Sequence, residues 1–372
     1  MSTPRNDPGP LADVWHALLD GLRDAENSFL DPARGVFDQR TVAEGYRSLT
    51  HVLRYGLEIY LEGDPAAPRF LPLAGPTARI LGDNTDTHYT IALVDGRRDY
   101  VITGRRGDEC YLSFTVHGGP DAAAHLRQHT VGDLNHEAMR IADDGTFRIT
   151  LSRNRPAEGD WIELPDDAVI VISREYYFAK DTARRPEYTI APAEPAEPAA
   201  GPLVFDAERV AAGLRATTAF LAETVLTQPQ RPVAPNAMAE PFRFGRTMPG
   251  WGTPDNVYCR ARYELAPDEA LVIEGDAGEC TYWGIQLWNS FMQSMDAPTG
   301  PVSRNTRTAR LTPDNRFRVV VAHEDPGPGE PDWLPTTGLH TGVVFCRWLL
   351  PKHEPEAPTA RVVKLAELRG GA

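Results

Sequence analysis

Lysine is almost missing from this chain: of 38 basic side chains in 372 residues, only Lys180, Lys352 and Lys364 are lysines. Schiff-base chemistry needs a desolvated lysine amine. Two of the three sit in the C-terminal tail, so a pyridoxal-phosphate or aldolase mechanism is not expected. Cysteine is scarce as well. Cys110, Cys259, Cys280 and Cys346 show no Cys-x-x-Cys spacing, which fits reduced thiols in a cytoplasm better than a disulfide framework. No apolar run approaches the roughly 18–20 residues of a membrane span. The first ten residues are polar, so a secretory signal is not expected either. Positive charge is in deficit, 52 acidic against 38 basic residues for a net charge of −14. Such a surface repels phosphate backbones, and no nucleic-acid partner is expected. No Gly-x-Ser-x-Gly elbow is present, and the glycine-rich stretches 104–107 and 327–329 fit neither a Walker loop nor a dinucleotide fingerprint. No cofactor is expected.

What the chain does contain is arginine, 35 of the 38 basic residues, a side chain suited to bidentate recognition of carboxylate or phosphate. It also contains itself twice. Residues 134–149 align without gaps on 304–319, pairing Asn135 with Asn305, Arg140 with Arg310, Asp144 with Asp314, Phe147 with Phe317 and Arg148 with Arg318. At nearly the same offset Asp86 and Tyr89 pair with Asp255 and Tyr258, Gly104 with Gly275, and Cys110 with Cys280. A tandem duplication with short loop insertions is the reading, and it predicts the same strand order in both halves.

Each half opens with an amphipathic helix, over 11–29 and 206–226, with Asp206 as the N-cap of the latter. Short alternating stretches punctuated by Gly, Pro, Asp and Asn follow, the pattern of antiparallel strands in a sandwich. The expected fold is mainly β with helical decoration, two tandem β-sandwich or jelly-roll-like domains. Its parts are an N-terminal helical segment (1–65, with a helix at 39–61), a first repeat (66–188), a Pro/Ala/Glu linker (189–204), a helix (205–230) and a second repeat (231–365). The ends, 1–10 and 365–372, are expected to fray.

Several second-half motifs stand out: Tyr282-Trp283-Gly284-Ile285-Gln286-Leu287-Trp288, Asp325-Pro326-Gly327, Asp332-Trp333-Leu334-Pro335, and Arg347-Trp348 with Pro351. With them the second half resembles the bacterial domain-of-unknown-function family 1214, although Asp332 stands where that family has Asn. The segment Asn84-Thr85-Asp86-Thr87-His88-Tyr89 resembles the signature of the companion family 1254. The resemblance implies β-rich jelly-roll domains with helical decoration and no established activity.

Three groups of residues are candidates for chemistry. Alternation places Asp86 and His88 on one strand face, where a carboxylate could orient an imidazole for acid–base work. The duplicate keeps Asp255 and Tyr258 but has Val257 in place of His88. Tyr282, Gln286 and Trp288 share a face that mixes aromatics with an amide, as a pocket for a polar-headed apolar or sugar-like ligand does. Trp283, Ile285 and Leu287 opposite read as core. Their first-half counterparts are Tyr111, Thr115 and His117, which makes His117 a second candidate base. Tyr89 joins this ligand set, and Arg174 and Arg347 are candidates to hold an anionic group. His125 and His129, four apart on an expected short helix, could meet one metal ion. The reading is a protein that binds a small organic ligand, with a cofactor-independent lyase, isomerase or hydrolase reaction open to it. The alternatives are a non-catalytic binding or scaffold module and a metal-dependent enzyme using the histidine pair.

Overall fold

The computed structural model describes residues 9–36, 38–194, 206–228, 234–244, 250–296 and 300–370. The first repeat carries β1 (Leu71–Leu73), β2 (Thr87–Leu93), β3 (Tyr100–Arg105), β4 (Tyr111–Gly118), β5 (His129–Asn135), β6 (Thr146–Ser152), β7 (Asp160–Glu163), β8 (Ala168–Tyr176) and β9 (Glu187–Pro192). The second carries β10 (Phe242–Arg243), β11 (Asn256–Glu264), β12 (Glu269–Asp276), β13 (Tyr282–Trp288), β14 (Ser303–Asn305), β15 (Arg316–Ala322), β16 (Trp333–Pro335), β17 (Thr341–Leu349) and β18 (Thr359–Lys364).

The strand orders are the same. One five-stranded sheet runs β1-β2-β8-β4-β5 and its counterpart β10-β11-β17-β13-β14; the four-stranded sheets run β7-β6-β3-β9 and β16-β15-β12-β18. Even the exceptions repeat, since β6–β7 and β15–β16 are the parallel pairs. Phe147 and Phe317 are buried in both copies, opposite Gly104 and Gly275. The fold is mainly β, as two repeats with the duplicated topology.

Each sandwich buries one face of its five-stranded sheet against its four-stranded sheet. In the second repeat Trp283, Ile285 and Leu287 join Val257, Cys259, Leu271, Ile273 and Phe317 in that core. The other faces of the two five-stranded sheets are covered by helices and by each other. Helices α1 (Pro10–Phe29), α2 (Gln39–Gly56) and α3 (Ala207–Thr227) lay Phe29, Val52, Tyr55 and Phe220 over Ile91, Ile170 and Ile172. Short polar caps start two of these helices: Asp38 accepts from Thr41 N at 2.6 Å, and Asp206 from Arg209 N at 2.8 Å. A π-turn at Leu57–Leu61 extends α2 to the expected end.

Three sequence expectations need correction here. Thr189–Pro192 are not linker: they pair with β3 as part of β9, since the backbone of Tyr188 to Ala191 completes that sheet's edge. Residues 195–204 of the expected linker lie outside the described residues. The C-terminal stretch is helical over Leu365–Gly370 (α4), held by burial of Leu365 against the four-stranded sheet. Finally, 121–129 is not one helix. His125–Arg127 form a single 3-10 turn and His129 begins β5, so the two imidazoles do not share a helix face.

Candidate site between the two repeats

Strands β4 and β13 are buried along their whole length, and each reaches across the boundary between repeats to the aspartate turn of the other. Tyr282 Oη donates to Asp86 Oδ2 at 2.7 Å and Asn305 Nδ2 to the same oxygen at 2.8 Å. Reciprocally, Tyr111 Oη and Asn135 Nδ2 each donate to Asp255 Oδ2 at 2.7 Å. All six residues are duplicate pairs, so each repeat's aspartate is gripped by the other repeat's tyrosine and asparagine. Burial raises the Asp86 carboxyl above its ordinary value, against the bonds from Asn305 and Tyr282.

Between these two clamps lie four more duplicate-related side chains. Tyr89 pairs in register with Arg174 on the first sheet, and Tyr258 with Arg347 on the second. Burial pushes the Tyr258 hydroxyl up to about 12 and raises that of Tyr89 as well. The two arginines differ. Arg174 donates to Thr115 Oγ1 at 2.7 Å and to the Trp251 carbonyl at 2.6 Å. Arg347, 3% exposed, has no hydrogen bond or ion pair among the described residues; its guanidinium stands 5.2 Å from the Phe345 ring and 5.9 Å from that of Trp288.

Other polar atoms on these faces also lack protein partners: Asn84 Nδ2, Thr85 Oγ1, Ser113 Oγ, Asn256 Oδ1 and both ring nitrogens of His117. Buried polar groups are usually paired, and only a few per hundred residues are not. With Arg347 Nε they make seven such atoms on these faces; others lie elsewhere, at Ser48, Thr87, His125, Gln228 and Trp283 among them.

The expected site residues distribute as follows. Tyr89, Arg174, Arg347, Tyr282, Gln286, Trp288 and His117 all lie on the facing sheets. Gln286 and Trp288 are occupied in holding the other repeat: both donate to the Asp83 carbonyl, at 2.5 and 2.9 Å, and Gln286 accepts from Thr85 N. Gly82, at φ +80, lets that loop pass over Trp288, where a Cβ would come within 2.8 Å of the ring. His117 sits at a bulge in β4, fully buried, its basicity lowered by burial and by the charge of Arg174.

The Asp86–His88 pair does not form. Asp86 precedes β2, and the turn there aims its carboxylate across the boundary, while His88 alternates with Thr90 toward the four-stranded sheet of its own repeat. There it lies 5.6 Å from the Tyr177 ring, and burial, then Arg185, lowers its value to about 4. His125 packs between Phe220 and Trp251, with ring centroids at 5.0 and 5.6 Å, and His129 lies 3.8 Å from Asp167. Among the described residues no cluster of three metal-ligating side chains exists.

One residue on this boundary escaped the sequence reading. Asp133 accepts a short hydrogen bond from Thr115, which in turn accepts from Arg174. Burial and the neighbouring Asp255 push its carboxyl up to about 7. The signal was available: Asp133 stands two residues before the duplicated Asn135, and its counterpart is Ser303. A separate open groove of about 380 Å3 on the four-stranded sheet, beside Arg148, Glu158 and Asp160, holds none of these residues.

Residues 84–179 match the family model described as Protein of unknown function (DUF1214). The match lies within the first repeat; the motifs that suggested it from sequence lie in the second, its duplicate. The crystal structure of an uncharacterized protein from Burkholderia cenocepacia superposes with a TM-score of 0.85 at 30% identity, covering 97% of this chain and 100% of that one. The VPA0106 protein from Vibrio parahaemolyticus aligns at 12% identity and a TM-score of 0.49, over 92% of this chain and 100% of that one. No curated protein matches the chain. At its identity to the Burkholderia cenocepacia protein over nearly the whole of both molecules, the chain belongs to that protein's family, with a DUF1214 region at residues 84–179.

Proposed function

We propose that this protein binds a small organic ligand between its two repeats, among Tyr89, Tyr258, Arg174 and Arg347. The observation that carries the reading is the group of buried polar atoms without protein partners on the facing sheets, set among aromatic rings. Each such group costs about 1–3 kcal/mol if left unpaired. A ligand with a polar head and an apolar body satisfies the donors and covers the rings.

Any reaction at this place is acid–base chemistry without a cofactor, of lyase, isomerase or hydrolase type. Asp133 replaces the Asp86–His88 pair as the candidate group, because a carboxyl with a value of about 7 both gives and takes a proton near neutrality. His117 is the candidate partner. We also keep the resemblance of the segment from Asn84 to Tyr89 to the companion family 1254; that segment supplies Asp86 and Tyr89 to the boundary. Four free cysteines support a reducing, cytoplasmic setting, with burial pushing Cys110, Cys259 and Cys280 up to about 12.

The test is native mass spectrometry of the purified protein, followed by identification of what the denatured protein releases. A stoichiometric small organic molecule that is lost in an Arg347→Met variant supports the reading. Protein that carries nothing, and whose melting temperature no small-molecule panel shifts, refutes it.

A further inference from the structure

We infer that the ligand is a small monocarboxylate with an apolar or aromatic body, held by Arg347 and not by Arg174. The inference rests on the binding reading above and adds ligand class and anchor. Duplication supplied two equivalent arginines, and the surroundings of each decide its role. Arg174 is closed from within: Thr115 and the Trp251 carbonyl take its two terminal nitrogens. The counterpart of Thr115 is Gln286, whose amide is turned away to Asp83 and Thr85 of the other repeat. Arg347 is thereby left without a hydrogen-bonding or ionic partner among the described residues.

A guanidinium stays charged in any protein interior, and a buried charge demands a counter-charge. The carboxylate whose field it feels, Asp86, is already held by Tyr282 and Asn305 and makes no ion pair with it. One unmatched positive charge calls for one negative charge. A dianion such as a phosphate monoester would leave a net negative charge in the same buried place. The planar fork of arginine matches a carboxylate bidentately. The stacked rings of Trp288 and Phe345, 4.0 Å between centroids, form an apolar wall beside the guanidinium.

The test is thermal unfolding with benzoate and octanoate, their neutral amides benzamide and octanamide, and phenyl phosphate. The acids should raise the melting temperature of the wild-type protein and the amides should not. Arg347→Met should fold, melt no lower than wild type because a buried unpaired charge is gone, and bind the acids at least about tenfold more weakly. Arg347→Lys should keep part of the effect. Arg174→Met should melt lower, with the Trp251 carbonyl orphaned and Thr115 left with Asp133 alone; the two Arg347 variants decide the assignment. Amides acting as well as acids, phenyl phosphate acting better, or Arg347→Met keeping the response would each overturn the carboxylate assignment while leaving a ligand site between the repeats. Response to none of the probes overturns the assignment. Combined with protein that carries no co-purified molecule, it removes the binding reading too.

Discussion

Tyr282 of the second repeat donates to Asp86 of the first at 2.7 Å, and Tyr111 returns the same bond to Asp255 at 2.7 Å. The two bonds are related by the duplication, so the boundary between repeats has an approximate two-fold axis written in side chains. Replacing one hydroxyl leaves a half-buried carboxylate with only its asparagine across the boundary. Tyr282→Phe and Tyr111→Phe should each lower the unfolding free energy by about 1–3 kcal/mol, and by similar amounts, measured in urea. A variant indistinguishable from wild type would mean that the bond stabilises nothing.

That clamp shows how much was legible beforehand. Asp86, Asp255, Asn135 and Asn305 were visible as retained pairs, and retention of fold-bearing residues in both copies is what a duplication preserves. What linear sequence could not display is that each aspartate reaches the opposite copy, because alternation along a strand says which side a residue takes and not what covers that side. The same gap misplaced His88. Its shared parity with Asp86 held only if the strand began earlier than Thr87, and the turn at Asn84 to Asp86 redirects the carboxylate. The histidine pair failed for a local reason: three residues of 3-10 turn before a strand give no i,i+4 face.

The carboxyl of Asp133 carries a pH signature. Its folded value of about 7 exceeds its ordinary 3.8, so the folded state holds the proton more tightly. The stabilisation is full below the ordinary value and is lost as pH rises through about 7. Asp133→Asn keeps an acceptor for Thr115 and removes the charge. Melting curves from pH 5 to 9 should fall for wild type and flatten for the variant, with the variant the more stable at pH 8. Parallel curves would show that Asp133 does not titrate in this range.

Acid acts through the histidines. Burial lowers His125 to about 4 from an ordinary 6.5, so the unfolded chain takes up the proton first and stability falls as pH drops from 6.5 toward 4. At 1.36 kcal/mol per unit, such a residue is worth about 3 kcal/mol across that window. His125→Phe fits between Phe220 and Trp251 without a titrating group. It should melt within a few degrees of wild type at pH 7.5 and well above it at pH 4.5. Equal loss in both proteins would assign the acid limb elsewhere, to His88, His117 or His136.

The duplicated strands also make an asymmetric prediction. Ser113 and Gly284 occupy equivalent places, each paired in register with the clamp asparagine of its own repeat. A Cβ at Gly284 would come within 2.8 Å of the Tyr282 ring, at Cζ, so an alanine there displaces the ring from Asp86. Gly284→Ala should therefore cost about what Tyr282→Phe costs. Because both lose the same bond, the double variant should be scarcely worse than either single one, a coupling that a double-mutant cycle in urea reads directly. Ser113 Oγ has no protein partner, so Ser113→Ala removes a buried polar atom and breaks nothing. Its effect should stay within about 0.5 kcal/mol of zero or be stabilising. If Gly284→Ala and Tyr282→Phe add fully, the glycine serves the sheet alone and Tyr282 reaches Asp86 without its help.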